Sequence, residues 1–364
     1  MKMNWNSSFK SKSFVLTALL VLIIVLPFLI GYLGNAWIRI LTFSLLYIML
    51  ALGLNIVVGY AGLLDLGYVA FYAVGAYFYA LVSSPHLQEQ FFFISQAFPV
   101  GFGLSSLSVI LIAAFVAALF GIILGFPILR LRGDYLAIVT LGFGEIIRIF
   151  MNNLNSPINL TNGPQGIGEI QSLTIFGNDL SQSINIGMLN IPSVQLHYYL
   201  FFLIALIIVI ISFRLENSRI GRAWLAIRED EIAAKSMGID TRNMKLLAFA
   251  LGASFGGVSG AMFAAFQGFV SPESFILMES IVIVAMVVLG GLGNVYGVII
   301  GAILLYAIPE ILRLTARPIQ DALFGFELIA PEALRMLLFG ISMVLIMLYR
   351  PNGIFPRVAK VRNI

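Results

Sequence analysis

Residues 214–245 read RLENSRIGRAWLAIREDEIAAKSMGIDTRNMK, a charged island between two apolar runs, 198–213 and 246–268. The island holds seven Lys/Arg, and its neighbours hold none. Hydrophobic runs approaching ~20 residues are what a hydrocarbon core selects. A chain that sets one arginine-rich stretch between two of them keeps that stretch in water beside a membrane. This reading fixes the fold class as an integral membrane protein.

Working outward, similar runs cover about 14–33, 37–58, 66–82, 106–126, 135–151, 278–292, 295–312 and 334–349. With the first two, they make ten expected helices. The run at 14–33 is longer than the apolar part of a secretory signal, and no small-x-small cleavage site follows it, so it is read as a retained span. None of the runs alternates residue by residue, which excludes a membrane β-barrel. Of the 364 residues, 60% are hydrophobic and 10% charged, which no soluble domain of this length shows.

Charge then sets the sidedness. Threading ten spans from a cytoplasmic N-terminus places 1–13, 59–65, 127–134, 214–245, 291–294 and 350–364 inside. Sixteen of the 21 Lys/Arg fall in those segments. The other five, Arg39, Arg148, Arg313, Arg317 and Arg335, fall at or near outer ends. That is the positive-inside rule, and an odd span count would break it in one half. The expectation is a single transmembrane domain over 1–364 with both termini cytoplasmic. Its long outer loop, 152–197, contains Glu169 and Asp179 but no Lys or Arg. That loop reads either as plain solvated chain or as a docking lip for an extracytoplasmic partner.

Several chemistries are excluded by composition. There is no cysteine, so no disulfide or thiolate metal site. His86 and His197 stand far apart with no ligand pattern around them. No G-x-x-x-x-G-K-S/T motif occurs, so nucleotide-driven transport would need another subunit to bind the nucleotide. No cofactor is expected in this chain, and nothing points to an enzyme. The carboxylates singled out in or near spans are Asp65, Glu145 and Glu310.

Within the island, Ile220, Ala223, Trp224 and Ile227 keep the i, i+3, i+4, i+7 spacing of one apolar stripe. Asp230 stands where an N-cap belongs, ahead of a short helix from Glu231 to Lys235, with Glu231 and Lys235 spaced for an i,i+4 pair. Gly238 is placed to stop it. The small Ala233-Ala234 face would admit a closely fitting partner surface; the plainer reading is an amphipathic helix lying on anionic lipid. Arg228, Glu229, Asp230, Glu231, Ala233, Ala234, Lys235 and Gly238 are therefore candidate coupling residues.

Two glycine-rich turns carry the second set of candidates. Gly59, Gly62 and Gly67 surround Asp65, and Gly290-Gly291-Leu292-Gly293-Asn294 repeats the pattern late in the chain. Such glycines permit a broken helix, tolerated at membrane depth only inside protein or beside a cavity. Asn55, Gly59, Gly62, Asp65, Tyr68, Gly291 and Asn294 are candidates for a translocation path or gate. A tight inner hairpin with Asp65 in headgroup water is the alternative. Glu145 and Arg148, three apart in one span, form either a functional intramembrane pair or a snorkelling arginine with its counter-charge. Gly252, Gly256, Gly257 and Gly260 give a small face for close helix packing or a subunit interface.

These segments carry a resemblance. Glu231-Ile232-Ala233-Ala234-Lys235-Ser236-Met237-Gly238 is similar to the E-A-A-x-x-x-G loop of binding-protein-dependent ABC importer permeases, with the glutamate shifted by one and the hydrophobic-Leu-Pro ending absent. Leu52 to Gly67, Leu131 to Gly142, Gly290 to Asn294 and Arg350-Pro351-Asn352-Gly353 resemble, in order, branched-chain amino acid permeases of the LivM type. The resemblance implies a BtuC-like fold in a bacterial inner membrane. It implies a LivH-like permease partner, two ABC ATPase subunits of the LivG and LivF types, and a periplasmic binding protein delivering leucine, isoleucine or valine. Urea and short-amide permeases share these motifs and remain an alternative, as does a stand-alone secondary transporter.

Overall fold

The computed structural model describes residues 25–31, 34–98, 102–128, 131, 133–175, 178–186 and 189–324, with scattered positions from 330 to 355. Helix dominates. The helices are α1 (Asn35–Leu54), continued by a π-helical turn (Asn55–Tyr60), α2 (Val69–Ser83), α3 (His86–Gln90), α4 (Phe92–Ala97), α5 (Ser106–Ile128) and α6 (Asp134–Asn153). After the long loop come α7 (Ser193–Glu216), α8 (Arg219–Glu229), α9 (Glu231–Ser236), α10 (Thr241–Gln267), α11 (Leu277–Gly290) and α12 (Val295–Phe324).

Among the described residues, six helical stretches are long and apolar enough to cross a membrane: 35–60, 106–128, 193–216, 241–267, 272–290 and 295–315. Helix α2 is apolar but shorter. Helix α6 forms where a span was expected, at 135–151. The expected spans 14–33 and 334–349 lie largely outside the described residues, so the count of ten belongs to the sequence reading.

Helix α10 is the hub. It lies along α5 on one side and α2 on another, and also meets α1. Its glycines make this approach feasible. A Cβ on Gly75 of α2 would overlap the Gly257 backbone, and one on Gly260 would overlap the Tyr72 carbonyl. The small face read at 252–260 is thus used for packing within the chain. Burial separates inner from outer helices: the 35–60 span is the most enclosed of the six and 106–128 the least, matching its extreme apolarity. A helix that is hydrophobic all round with most of its surface uncovered suits an apolar surrounding, whether lipid or a partner's helices.

The loop 152–197 contains two small antiparallel hairpins, β1 (Thr174–Ile175) with β2 (Asn178–Asp179), and β3 (Ile184–Ile186) with β4 (Leu189–Ile191). The loop is fastened to the bundle by Ile167, which exchanges both backbone hydrogen bonds with Val270 at 2.8 and 2.9 Å.

Candidate gate and coupling site

The two glycine turns meet. Asn55, the first residue of the π-helical turn, is fully enclosed, and its Oδ1 accepts the Gly293 N–H at 2.9 Å. A Cβ on Gly59 would strike that amide oxygen and come within 2.6 Å of the Gly293 nitrogen. The π turn is registered here: Ala61 donates to the Ile56 carbonyl, five residues back, and Leu63 donates to Val57. Such wide turns concentrate at functional positions.

On the other side of this contact, Asn294 opens α12 by accepting from the Tyr296 and Gly297 amides, while its side-chain amide donates to the Phe355 carbonyl at 3.0 Å. Residues 353–355 lie over the same turn: Ile354 and Phe355 donate to Leu289 and Gly290, and a Cβ on Gly353 would meet Gly291. Gly291 itself sits at φ +118°, open to glycine and strained for other residues.

The chain then turns through Gly62 (φ +71°) to Asp65, which is 2% exposed. The alternative that placed Asp65 in headgroup water does not hold. Its Oδ1 accepts the Gly67 N–H at 2.9 Å, and the Thr140 hydroxyl of α6 accepts from Leu66 at 3.0 Å. Its Oδ2 has no hydrogen-bond partner. Burial therefore pushes the carboxyl from its ordinary 3.8 up to about 6, with the Gly67 bond opposing the rise. Tyr68 is wholly buried and donates to the Gly252 carbonyl at 2.9 Å, joining this turn to α10.

The charged island reaches the same place. Arg228, at the end of α8, donates from Nη1 to the Gly59 carbonyl at 2.6 Å, a carbonyl in the π turn. Its side chain also lies where a Cβ on Gly62 would sit, 2.7 Å from its Cγ. Trp224, one turn earlier, stacks on Tyr60 with ring planes 4° apart, and its indole N–H donates to Met244 at 2.7 Å. Helix α8 is thereby fixed to the break in the 35–60 span by a stacked ring pair and a charge-assisted hydrogen bond.

Helix α9 forms as its residues dictate. Asp230 Oδ1 accepts from Ile232 and Ala233 at 2.8 and 3.0 Å, and Gly238 closes the end at φ +82°. The structure shows Glu231 bound to Lys245 of α10 at 2.6 Å, a long-range partner in place of the local pairing with Lys235 read from the spacing. Of the two alanines, Ala234 is buried and Ala233 exposed. The face offered outward is Ile232, Ala233 and Met237, with Met237 83% exposed. Glu229 and Lys235 are also exposed.

Glu145 and Arg148 form the i,i+3 ion pair at 2.5 Å, and Arg148 also reaches Glu273 at 3.4 Å. This pair is tied to the 272–275 turn and is not part of the Asn55–Gly293 contact. Sequence reading missed the Trp224–Tyr60 stack and the role of Thr140, although all three residues stand inside or beside the motifs already singled out. Among the described residues no cluster of His, Asp or Glu could hold a metal.

A bundle of apolar helices in which the 35–60 span is broken and clasped by a charged arm fits a polytopic membrane transport subunit. The chain belongs to the family described as branched-chain amino acid transport system / permease component, whose pattern matches residues 36–347. It is 43% identical over 96% of its length to a high-affinity branched-chain amino acid transport system permease protein LivM of Escherichia coli, covering 76% of that protein. A probable LivM of Methanocaldococcus jannaschii is 26% identical over 85% of the chain and 90% of the relative. An autoinducer 2 import permease, LsrC of Yersinia enterocolitica, is 31% identical across 32% of the chain and 34% of its own length. No solved structure matches.

Proposed function

We propose that this chain is the permease subunit of an ATP-driven importer of leucine, isoleucine and valine in a bacterial inner membrane. In this reading it has ten spans in a BtuC-like arrangement, with both termini cytoplasmic. It forms the pathway with a LivH-like subunit, above two ATPases of the LivG and LivF types. A periplasmic binding protein delivers substrate to the 152–197 loop. The substrate class follows the names of the LivM relatives.

The observation that carries the coupling is the α8–α9 arm. Helix α9 presents Ile232, Ala233 and Met237 outward, and α8 holds the Gly59 carbonyl through Arg228. Motion imposed on α9 by an ATPase would reach the π turn, and through Asn55 the α11–α12 turn. Hydrolysis itself is assigned to the ATPases.

The test uses the assembled importer in proteoliposomes. Ala233 is exposed, so a bulky residue there leaves the bundle intact, whereas any side chain at Gly238 would strain its φ of +82°. Ala233→Trp is expected to abolish uptake and ATPase association while the permease remains folded. Normal uptake by Ala233→Trp would sink the coupling role, and accumulation of leucine by this chain alone would sink the importer reading.

A further inference from the structure

At the end of the bundle that carries the 152–197 loop lies a cavity of about 370 Å³ between α1, the end of α10 and α12. A volume of this size is in the range of small-molecule sites. One wall brings Arg39 from α1. The facing wall brings Glu310 and Arg313 from α12, three residues apart and hydrogen-bonded to each other. Between them the lining is mixed: Ile40, Phe43 and Leu314 supply apolar surface, and Gln267 and Tyr306 supply polar groups. The Arg39 guanidinium lies 5.5 Å over the Phe266 ring, and among the described residues it has no carboxylate in salt-bridge reach.

From this cavity an aromatic path leads inward. Tyr306, on its wall, lies 6.1 Å from Phe43 and stacks on Tyr47 at 4.7 Å. Tyr47 donates to Glu279 at 2.8 Å. Tyr47 is two helical turns beyond Arg39, about 12 Å deeper along α1. Glu279 thus places a second carboxylate along the same side of the bundle, in a first turn of a span where charge is costly and usually functional.

We propose that this cavity is the entry site for the free amino acid, taking its carboxylate on Arg39 and Arg313, its ammonium on Glu310, and its side chain against Ile40, Phe43 and Leu314. Guanidinium groups suit a planar carboxylate, and both signs of charge beside a few apolar side chains match a small zwitterion with a hydrocarbon side chain. A rim serving only anionic lipid headgroups would place arginines here without need of Glu310. Glu279, held by Tyr47, is the next carboxylate an ammonium would meet. This inference rests on the importer reading above and names where that importer first holds its cargo.

The experiment uses the full importer with its receptor. Arg39→Gln and Glu310→Gln are each expected to lower uptake about tenfold or more, the weight of a hydrogen bond to a charged group, with receptor-stimulated ATPase activity retained. Because the natural chain has no cysteine, Leu314→Cys supplies a single thiol in the cavity. Leucine is expected to slow its modification by a small charged thiol reagent, and leucine amide or N-acetyl-leucine is not. Wild-type uptake in both charge variants would overturn the site, as would loss of ATPase stimulation together with uptake, which would place these side chains in receptor assembly. Equal protection by leucine and its amide would overturn it too. A wild-type importer that moves no branched-chain amino acid would instead overturn the reading beneath it.

Discussion

Gly59 sits where a helix changes pitch and two distant turns touch. Alanine there would press its methyl on the Asn55 side chain and on the Gly293 backbone, and the second of these cannot swing aside. Overpacking of this kind costs about 1–3 kcal/mol. Gly59→Ala is therefore expected to lower the unfolding temperature of the purified protein and to reduce uptake; an unaltered melting curve would show that the two turns separate freely. Asp65 gives a pH signature. Its folded carboxyl titrates near 6 against an ordinary 3.8, so the folded state holds the proton more tightly. The group contributes most below about pH 4, and this contribution is lost as pH rises through 6, roughly 3 kcal/mol in all. Asp65→Asn keeps an acceptor for Gly67 and removes the titration, so its stability should be flatter than wild type between pH 4 and 7. Asp65→Ala strands the Gly67 amide and should cost about 1–3 kcal/mol at every pH. Parallel wild-type and Asn pH profiles would assign the titration elsewhere.

At the scale of an element, α9 is six residues long, too short to hold itself together by propagation. It survives on its ends and on the Glu231–Lys245 contact to α10. Asp230→Ala removes the acceptor for two amides and should cost about 1 kcal/mol, read as faster hydrogen exchange at 232–236. Unchanged exchange there would mean that the contact to α10 suffices. The limits of this helix were legible from sequence because a cap and a left-handed stop are local chemistry: Asp230 and Gly238 declare themselves. The partner of Glu231 was not, because Lys245 becomes near only when α9 folds back on α10. The same holds more strongly for Asn55 and Gly293, 238 residues apart, and for Arg228 and Gly59, 169 apart. Each turn could be recognised alone as a glycine-rich break, but nothing in one names the other. The two hairpins of the 152–197 loop were also unforeseen, since strands of two or three residues leave no alternating pattern to read.

For the whole molecule, apolar run length was the strongest signal, and helices formed at each expected span that the described residues cover. What run length could not tell was which helix sits at the centre. That choice is written in glycine: α10 approaches α2 and α5 closely enough for Gly75, Gly257, Gly260 and Gly121 to lack room for a methyl. Without a hydrophobic force between helices in lipid, such backbone proximity supplies the attraction. Gly75→Val at the α2–α10 crossing would set side-chain carbons into the Gly257 backbone, with an expected loss of about 3 kcal/mol or more. Gly142, on the same bundle but with nothing within 4 Å of its Cβ position, is the matched control and should tolerate alanine. Equal melting temperatures for Gly75→Val and Gly142→Ala would refute a glycine-determined centre.

The strap formed by residues 353–355 over Gly291 bears on how this protein is handled at the bench. An affinity tag, fluorescent fusion or protease site joined at or just before Gly353 would pull Ile354 and Phe355 off the Leu289 and Gly290 carbonyls and release the Asn294 side chain. A well-expressed but inactive fusion of that design would report a loosened hinge, and moving the appendage downstream of Phe355 should restore transport.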